Sequence, residues 1–301
     1  MSDAQQTSDR PQDQAAPTGA ALLAAYLRRI GVNAPVPVSP EGLGALQMAH
    51  RTSIAFENLD IALGRPIVID LPSITAKLVT GGRGGYCFEH NRLFGEMLAA
   101  LGFANRPLLG RVWIGAAPDA GDAPPRTHTL RLVDVGGEPW IADAGFGASY
   151  VPPLPLQHGA QAMTADGACH RLLRIGVTGA RDGEWVLERF GPLSATDGRA
   201  AVPDTWVPQY SFDLSEVAPV DLEMSNHWTS TRPNTRFTSA IIASIVLPDG
   251  FVSLNGRRLT MHHGGRGDVM EIASAQDWQQ MAADLFGIEM SDEQVAALGL
   301  F

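Results

Sequence analysis

Over the first hundred residues the apolar positions recur at helical spacing. Within residues 20–31, Leu22, Leu23, Tyr26, Leu27 and Ile30 fall on one face, and Gly31 supplies a C-terminal stop. Ser39, Pro40 and Glu41 have the residue types of an N-cap and the first two helical positions, which predicts a second helix to about Arg51. Residues 88–101 carry Phe94, Met97, Leu98 and Leu101 on one stripe, closed by Gly102. From about Asn105 the pattern changes. The runs 106–115, 127–135, 138–147, 170–179 and 184–191 are short, β-rich and separated by turn residues, as in an antiparallel barrel or sandwich. After about Phe212 the character is mixed. Strand-like runs at 239–248 and 251–262 precede predicted helices near Ala275–Phe286 and Ser291–Leu298, the second opening on Ser291, Asp292 and Glu293. No internal repeat is visible, and the Pro-rich stretch 151–158 suits a connection.

A chain of 301 residues suggests one large or two to three compact domains. The pattern divides it into a polar tail, 1–18, a helical part, 19–105, a β part, 106–212, and a mixed part, 213–301. The tail is Gln-, Asp- and Pro-rich and is expected to be disordered. It lacks the apolar core of a secretory signal, and no stretch approaches the roughly 18 apolar residues of a membrane span, so a cytoplasmic protein without a membrane partner is expected. With 45% hydrophobic and 18% charged residues the chain reads as globular, and its net charge of −10 argues against a nucleic-acid partner. No metal site is expected: neither C-x-x-C nor H-E-x-x-H spacing occurs, and only His262 and His263 are adjacent histidines. These two with Arg266 form a basic spot, either a phosphate contact or a solvated loop.

Of the two cysteines, Cys87 follows a Gly-rich turn and opens a helix, in Arg83-Gly84-Gly85-Tyr86-Cys87-Phe88-Glu89-His90-Asn91. Unpaired amides and the helix dipole there favour an anion, which predicts a lowered thiol pKa and a nucleophile. The plainer alternative is a small buried residue at a helix start. A nucleophile needs a base and the base an orienter. His128 sits in a predicted strand, 127–132, and Asp143 in the next, Pro139–Gly145, across a Gly136-Gly137 turn. If those glycines are a two-residue loop, Val135 pairs with Glu138 and Asp143 faces Leu130, diagonal to His128. Slid by one residue, Asp143 faces His128 directly. Both registers bring the side chains to about 5–8 Å at Cβ, whereas a three-residue loop puts them on opposite faces. Each residue alone has a structural explanation, as a core histidine or a turn carboxylate. With Cys87 they form a potential thiolate–imidazolium pair.

The segments RGGYCFEHN, RTHTLRLV and ADAGFG, in this order, resemble the signature segments of the arylamine N-acetyltransferases. The interval between Cys87 and His128 is slightly longer than is usual in the family, a difference the 117–126 loop absorbs. Ile54–Leu59 resembles the family's PFENL stretch, with Ala55 in place of Pro. Asn226–Pro233 and Leu254–Thr260 resemble its C-terminal part, so the likeness spans roughly residues 20–290. It implies an α+β, three-domain fold: a helical bundle with the Cys, an antiparallel β-barrel with the His and Asp, and an α/β lid, with a cysteine-protease-like core. It implies ping-pong transfer of acetyl from acetyl-CoA, through Cys87, His128 and Asp143, to small aromatic amines, hydrazines or hydrazides. Acetyl-CoA is then a co-substrate, with no tightly bound cofactor. By the same resemblance Phe56, Phe146 and Gly147 line the amine pocket, and Arg83 and Glu57 form a structural ion pair. Asn226, His227, Trp228 and Ser230 are the candidate CoA contacts.

Three other readings share these residues. An amide synthase of the same fold uses the same triad, a cysteine hydrolase replaces the amine by water, and a binding module keeps the fold without the chemistry. Homo-oligomerisation is left open by the sequence.

Overall fold

Ser39 accepts a hydrogen bond from the Gly42 amide at 3.1 Å, with Pro40 at the first helical position, and the helix Pro40–Ser53 follows as its residue types require. It packs with helices Gly19–Arg29 and Cys87–Ala100 around Tyr26, Leu46, Leu93, Phe94 and Leu98. The computed structural model describes residues 18–114, 123–147, 150–192, 205–264 and 266–301. The expected tail, apart from Thr18, and most of the 117–126 loop lie outside the described residues.

The β region is one antiparallel sheet of eight strands, nearly closed on itself. Arg126–Val135 lies between Glu138–Ala142 and Asn105–Val112. Its interior is filled by Leu108, Leu130, Ile141, Leu172 and Tyr210. The hairpin register is the first of the two anticipated. Val135 pairs with Glu138 and Arg131 with Ala142, around a turn in which Gly136 and Gly137 have φ of 66° and 90°. Two consecutive positive φ values demand residues without a Cβ penalty, which is why the loop is two glycines long.

The strand expected to run to Gly145 stops at Ala142. Beyond it the backbone amides are taken by side chains instead of a neighbouring strand: Asp143 N–H donates to Gln47 Oε1 at 2.8 Å and Ala144 N–H to Asn91 Oδ1 at 3.0 Å. The alternation in the sequence could not report this switch. Three further strands escaped the pattern: Leu154–Pro155, inside the Pro-rich stretch read as a connection, Ala160–Met163 and Val207–Phe212. The third contains Pro208, tolerated because it lies at a register shift against Leu187/Glu188 and beyond the last residue paired with the 105–112 strand. Helix Pro219–Thr231 was also unforeseen. It buries Asn226 and Thr229 rather than an apolar stripe, so no helical hydrophobic period marks it.

A second antiparallel sheet has five strands. Four come from the C-terminal part: Ile242–Leu247, Gly250–Asn255, Arg258–His263 and Arg266–Glu271. The fifth, Phe56–Glu57, comes from the helical part and pairs with the first of them, Phe56 opposite Ser244. Helices Ala275–Phe286 and Asp292–Ala297 close this sheet's other face around Trp278 and Phe286. The expected basic spot does not form. His262 is buried and its ring stacks on Phe251 at 5.7 Å, because alternate residues of its strand face inward, while His263 and Arg266 are exposed. Among the described residues no helix is long and apolar enough to cross a membrane.

Candidate active site

Cys87 is the first residue of helix Cys87–Ala100 and is only 3% exposed. The helix start is fastened on several sides. Glu89 Oε2 accepts the Tyr86 N–H at 3.0 Å, half of a capping box. Glu89 Oε1 meets Lys77 Nζ at 2.8 Å, and Lys77 meets Asp60 at 2.7 Å. Arg83 pairs with Glu57 at 2.7 Å, and Glu57 Oε2 accepts the Leu59 N–H at 2.8 Å. The Arg83–Glu57 pair anticipated from the sequence is thus one part of a charged cluster with Asp60, Lys77 and Glu89 under the turn before Cys87. Lys77 reaches it from a π-helical turn, Thr75–Thr80.

His128 Nε2 lies 2.7 Å from Asp143 Oδ2, both residues 2% exposed. Asp143 Oδ1 accepts from Asn91 Nδ2 at 3.0 Å and from the Gly145 N–H at 2.9 Å, and Asn91 also donates to the Thr129 carbonyl at 2.7 Å. Asn91 lies one helical turn beyond Cys87 and so couples the helix to the strand bearing His128. Burial raises the Asp143 pKa. The His128 charge and the donors His128, Asn91 and Gly145 outweigh it, so the carboxyl stays below its ordinary range. Its hydrogen bond commits His128 Nε2, leaving Nδ1 for chemistry.

The thiol of Cys87 faces the Thr127 carbonyl at 3.7 Å, next to His128. Contrary to the depression expected from the helix start, burial pushes this thiol up, and the Asp143 charge adds to the rise. Hydrogen bonds from the backbone at Phe88 and Thr129 pull the other way without winning. The helix terminus is real, but removal of the sulfur from water outweighs it. A lone thiolate is disfavoured here.

Cys87 and His128 open on one cavity of ≈ 290 Å³, shared with Phe56, Phe146, Gly147 and Phe237. The Phe146 ring meets His128 at 5.0 Å and Tyr210 at 4.7 Å. Phe56 meets Phe237 at 5.9 Å and stacks flat on His90, with 8° between the planes. All three residues assigned to the amine pocket therefore border it. Of the four candidate CoA contacts, Trp228 lines the cavity. Asn226 does not: its amide oxygen accepts from Tyr86 Oη and its Nδ2 donates to the Ile67 carbonyl at 2.9 Å, tying helix Pro219–Thr231 to the turn before Cys87. Ser230 Oγ donates back to the Asn226 carbonyl at 2.8 Å, and His227 is exposed.

Several site residues were missed. Gln47 and Asn91 look like ordinary helix residues until their amide bonds are seen. Tyr210, whose ring lies 4.9 Å from His128, sits on the strand that Pro208 disguised. Arg236 at the cavity mouth lies just past the segment that resembled the family. Gly145 carries no polar group, yet a Cβ there would lie 2.8 Å from Cys87 Cα. Among the described residues no group of three or more His, Cys, Asp or Glu is placed to hold a metal ion.

Residues 41–295 match the family described as N-acetyltransferase. The arylamine N-acetyltransferase / N-hydroxyarylamine O-acetyltransferase of Salmonella typhimurium is 34% identical over 274 residues, covering 90% of each chain. The solved structure of arylamine N-acetyltransferase from Salmonella typhimurium has a TM-score of 0.83 at 32% identity, covering 94% of this chain and 100% of that one. That of Mycobacterium marinum arylamine N-acetyltransferase in complex with CoA has a TM-score of 0.79 at 33% identity, covering 92% and 98%. With its α+β fold and these full-length relatives, the chain is an acetyltransferase that belongs to the arylamine N-acetyltransferase family.

Proposed function

We propose that the protein transfers acetyl from acetyl-CoA to arylamines, arylhydrazines or hydrazides in a ping-pong cycle through an acetyl-Cys87 intermediate. One observation carries this reading: a buried cysteine at a helix start and a histidine held by a buried aspartate open on the same aromatic-walled cavity. In the first half-reaction the Cys87 proton passes to His128 Nδ1 as sulfur attacks the thioester carbonyl. The carbon–sulfur bond to CoA then breaks, and the imidazolium returns the proton to the departing thiolate. Burial disfavours a lone thiolate, so His128 is the acceptor of the Cys87 proton, and Asp143 stabilises the imidazolium this creates. Backbone amides at the open end of helix Cys87–Ala100 suit the developing oxyanion.

In the second half-reaction the amine nitrogen attacks the acetyl carbon, His128 accepts its proton and the Cys87 thiolate leaves. Phe56, Phe146 and Phe237 suit a flat ring. A cavity of ≈ 290 Å³ suits an acetyl group and a small amine, which leaves the CoA nucleotide outside. Trp228 with Arg232 stacked at 5.3 Å, and the exposed Arg236, provide aromatic surface and positive charge at the mouth. The relative from Mycobacterium marinum was solved in complex with CoA, which supports acetyl-CoA as the co-substrate.

The test is intact mass and peptide mapping after mixing the protein with acetyl-CoA alone. One acetyl on Cys87, absent in Cys87→Ala and discharged by an arylamine or hydrazine, is the expected result. An unmodified Cys87, with CoA-thiol release no faster than without protein, would sink the acetyl-CoA reading. Discharge by water as fast as by any amine would make the protein a hydrolase.

A further inference from the structure

A buried hydroxyl ordinarily finds a hydrogen-bond partner, because leaving it unpaired in an apolar setting is unfavourable. Ser244 is 2% exposed, and its Oγ has no partner within the protein. Among the described residues it is the one such side chain that lines the catalytic cavity. The strand that carries it explains the direction. In Ile242–Leu247, residues Ala243, Ile245 and Leu247 pack into the core beneath the C-terminal helices. Ile242 and Ser244 alternate onto the opposite face and border the cavity. A small apolar residue would fill this position with no unmet polar group.

Its place across the sheet limits what it can touch. Phe56 pairs with Ser244 on one side and bridges Gly85, in the turn leading into Cys87, on the other. Two strand spacings therefore separate the Gly85 and Ser244 backbones, roughly 10 Å. That span suits an aromatic amine whose nitrogen is at the acylated cysteine, whose ring lies along Phe56, and whose far end reaches the serine. The acyl donor enters from the mouth, where Trp228 and the exposed Arg236 lie.

We infer that Ser244 is a specificity residue: its hydroxyl contacts a polar substituent on the acceptor ring, so that arylamines bearing a hydroxyl, carbonyl or amide para to the nitrogen are preferred over alkyl analogues. This rests on the acyl-transfer reading and adds the class of acceptor to it. Nothing covalent changes at Ser244, which binds and orients. Chemical differences in nucleophilicity between two amines cancel when each is compared across variants, so a pair matched in shape isolates the contact. 4-Aminophenol and 4-methylaniline are such a pair.

The experiment preforms acetyl-Cys87 with acetyl-CoA and follows its discharge by each amine in wild type, Ser244→Ala and Ser244→Thr. A single neutral hydrogen bond predicts a roughly 3–10-fold slower discharge by 4-aminophenol in Ser244→Ala. The rate with 4-methylaniline and the rate of acetylation are expected to be unchanged. Ser244→Thr keeps the hydroxyl and suits a strand, so it is expected to restore the preference. Equal loss with both amines, loss confined to the acetylation step, or no loss would each overturn the proposal. Calorimetric binding of the two amines to unacetylated protein makes the same comparison without the acyl step. Failure to form acetyl-Cys87 would thus count against the transfer chemistry, while the Ser244 contact would stand or fall on the binding difference.

Discussion

Gly145 offers a test of how tightly the Cys87 helix and the Asp143 loop are fitted together. A Cβ added there would lie 2.8 Å from Cys87 Cα, 2.8 Å from Asn91 Nδ2 and 3.0 Å from the Cys87 carbonyl oxygen. Ordinary contact begins at 3.4 Å, so Gly145→Ala is short of room by about 0.6 Å against Cys87 Cα and about 0.4 Å against its carbonyl oxygen. Asn91 cannot swing aside without losing its bonds to Thr129, Asp143 and Ala144. The strain is expected to lower stability by ~1–3 kcal/mol, the usual range for overpacking. It is also expected to separate Cys87 from His128. A displacement of about 1 Å can cost ~100-fold in rate, so the acetylation half-reaction should slow by one to two orders of magnitude. The assay is single-turnover release of CoA thiol, with a thermal melt of each variant as the stability control. Gly44→Ala is the companion variant. It lies in helix Pro40–Ser53 with nothing within 4 Å of its added Cβ, and should gain up to ~1 kcal/mol while leaving the rate alone. A Gly145→Ala protein that acetylates at the wild-type rate would refute the claim that this contact sets the position of Cys87.

Burial pushes Glu89 up to about 6 from an ordinary 4.5, against the pull of Lys77. The folded state then binds this proton more tightly than the unfolded chain. Ionised Glu89 therefore costs ~2 kcal/mol above pH 6, and that cost disappears as pH falls toward 4.5. The stability of wild type minus that of Glu89→Gln should rise by about that amount between pH 7 and 4.5 in denaturant titrations. A flat difference would refute it. Asn91→Ala strips hydrogen bonds from the Thr129 carbonyl, Asp143 Oδ1 and the Ala144 amide. At ~1 kcal/mol or more for each buried group, it should lose about 3 kcal/mol in chemical denaturation, together with most of the acetylation rate. Unaltered kinetics would show that Asp143 needs no help from the helix. Arg236→Ala removes an exposed cation at the mouth. It should raise the KM for acetyl-CoA about 3–10-fold at low salt, converging with wild type at high salt. A salt-independent effect would mean that Arg236 acts by packing instead.

Much of the site was legible in the sequence because its signals are local. Cys87 at the start of a helix after two glycines is a statement about adjacent residues. The two-glycine turn and the period of a strand bring Asp143 to the side of His128: the hairpin keeps the anticipated register as far as Arg131 opposite Ala142, and Asp143, just past the strand's end, reaches His128 from there. The ion pair Arg83–Glu57 came from the resemblance of two segments rather than from any local rule, and its link through Asp60 and Lys77 to Glu89 was invisible.

What the sequence by itself determined is what short-range periodicity, caps and turns can encode: the helical beginning, the antiparallel middle, a cysteine at a helix start and a histidine and an aspartate across a tight turn. Tertiary structure alone decided the rest. It determined that Phe56–Glu57 leaves its own neighbourhood to become a strand of the C-terminal sheet, thereby setting Ser244 beside Phe56. It determined that Asn226 is tied to Tyr86 inside the protein while Trp228, two residues on, faces the cavity. It also reversed the expectation for Cys87. A helix terminus lowers a thiol's pKa through dipoles that belong to a few adjacent peptides, whereas burial raises it through the absence of water, and how much water is excluded depends on everything packed around the sulfur.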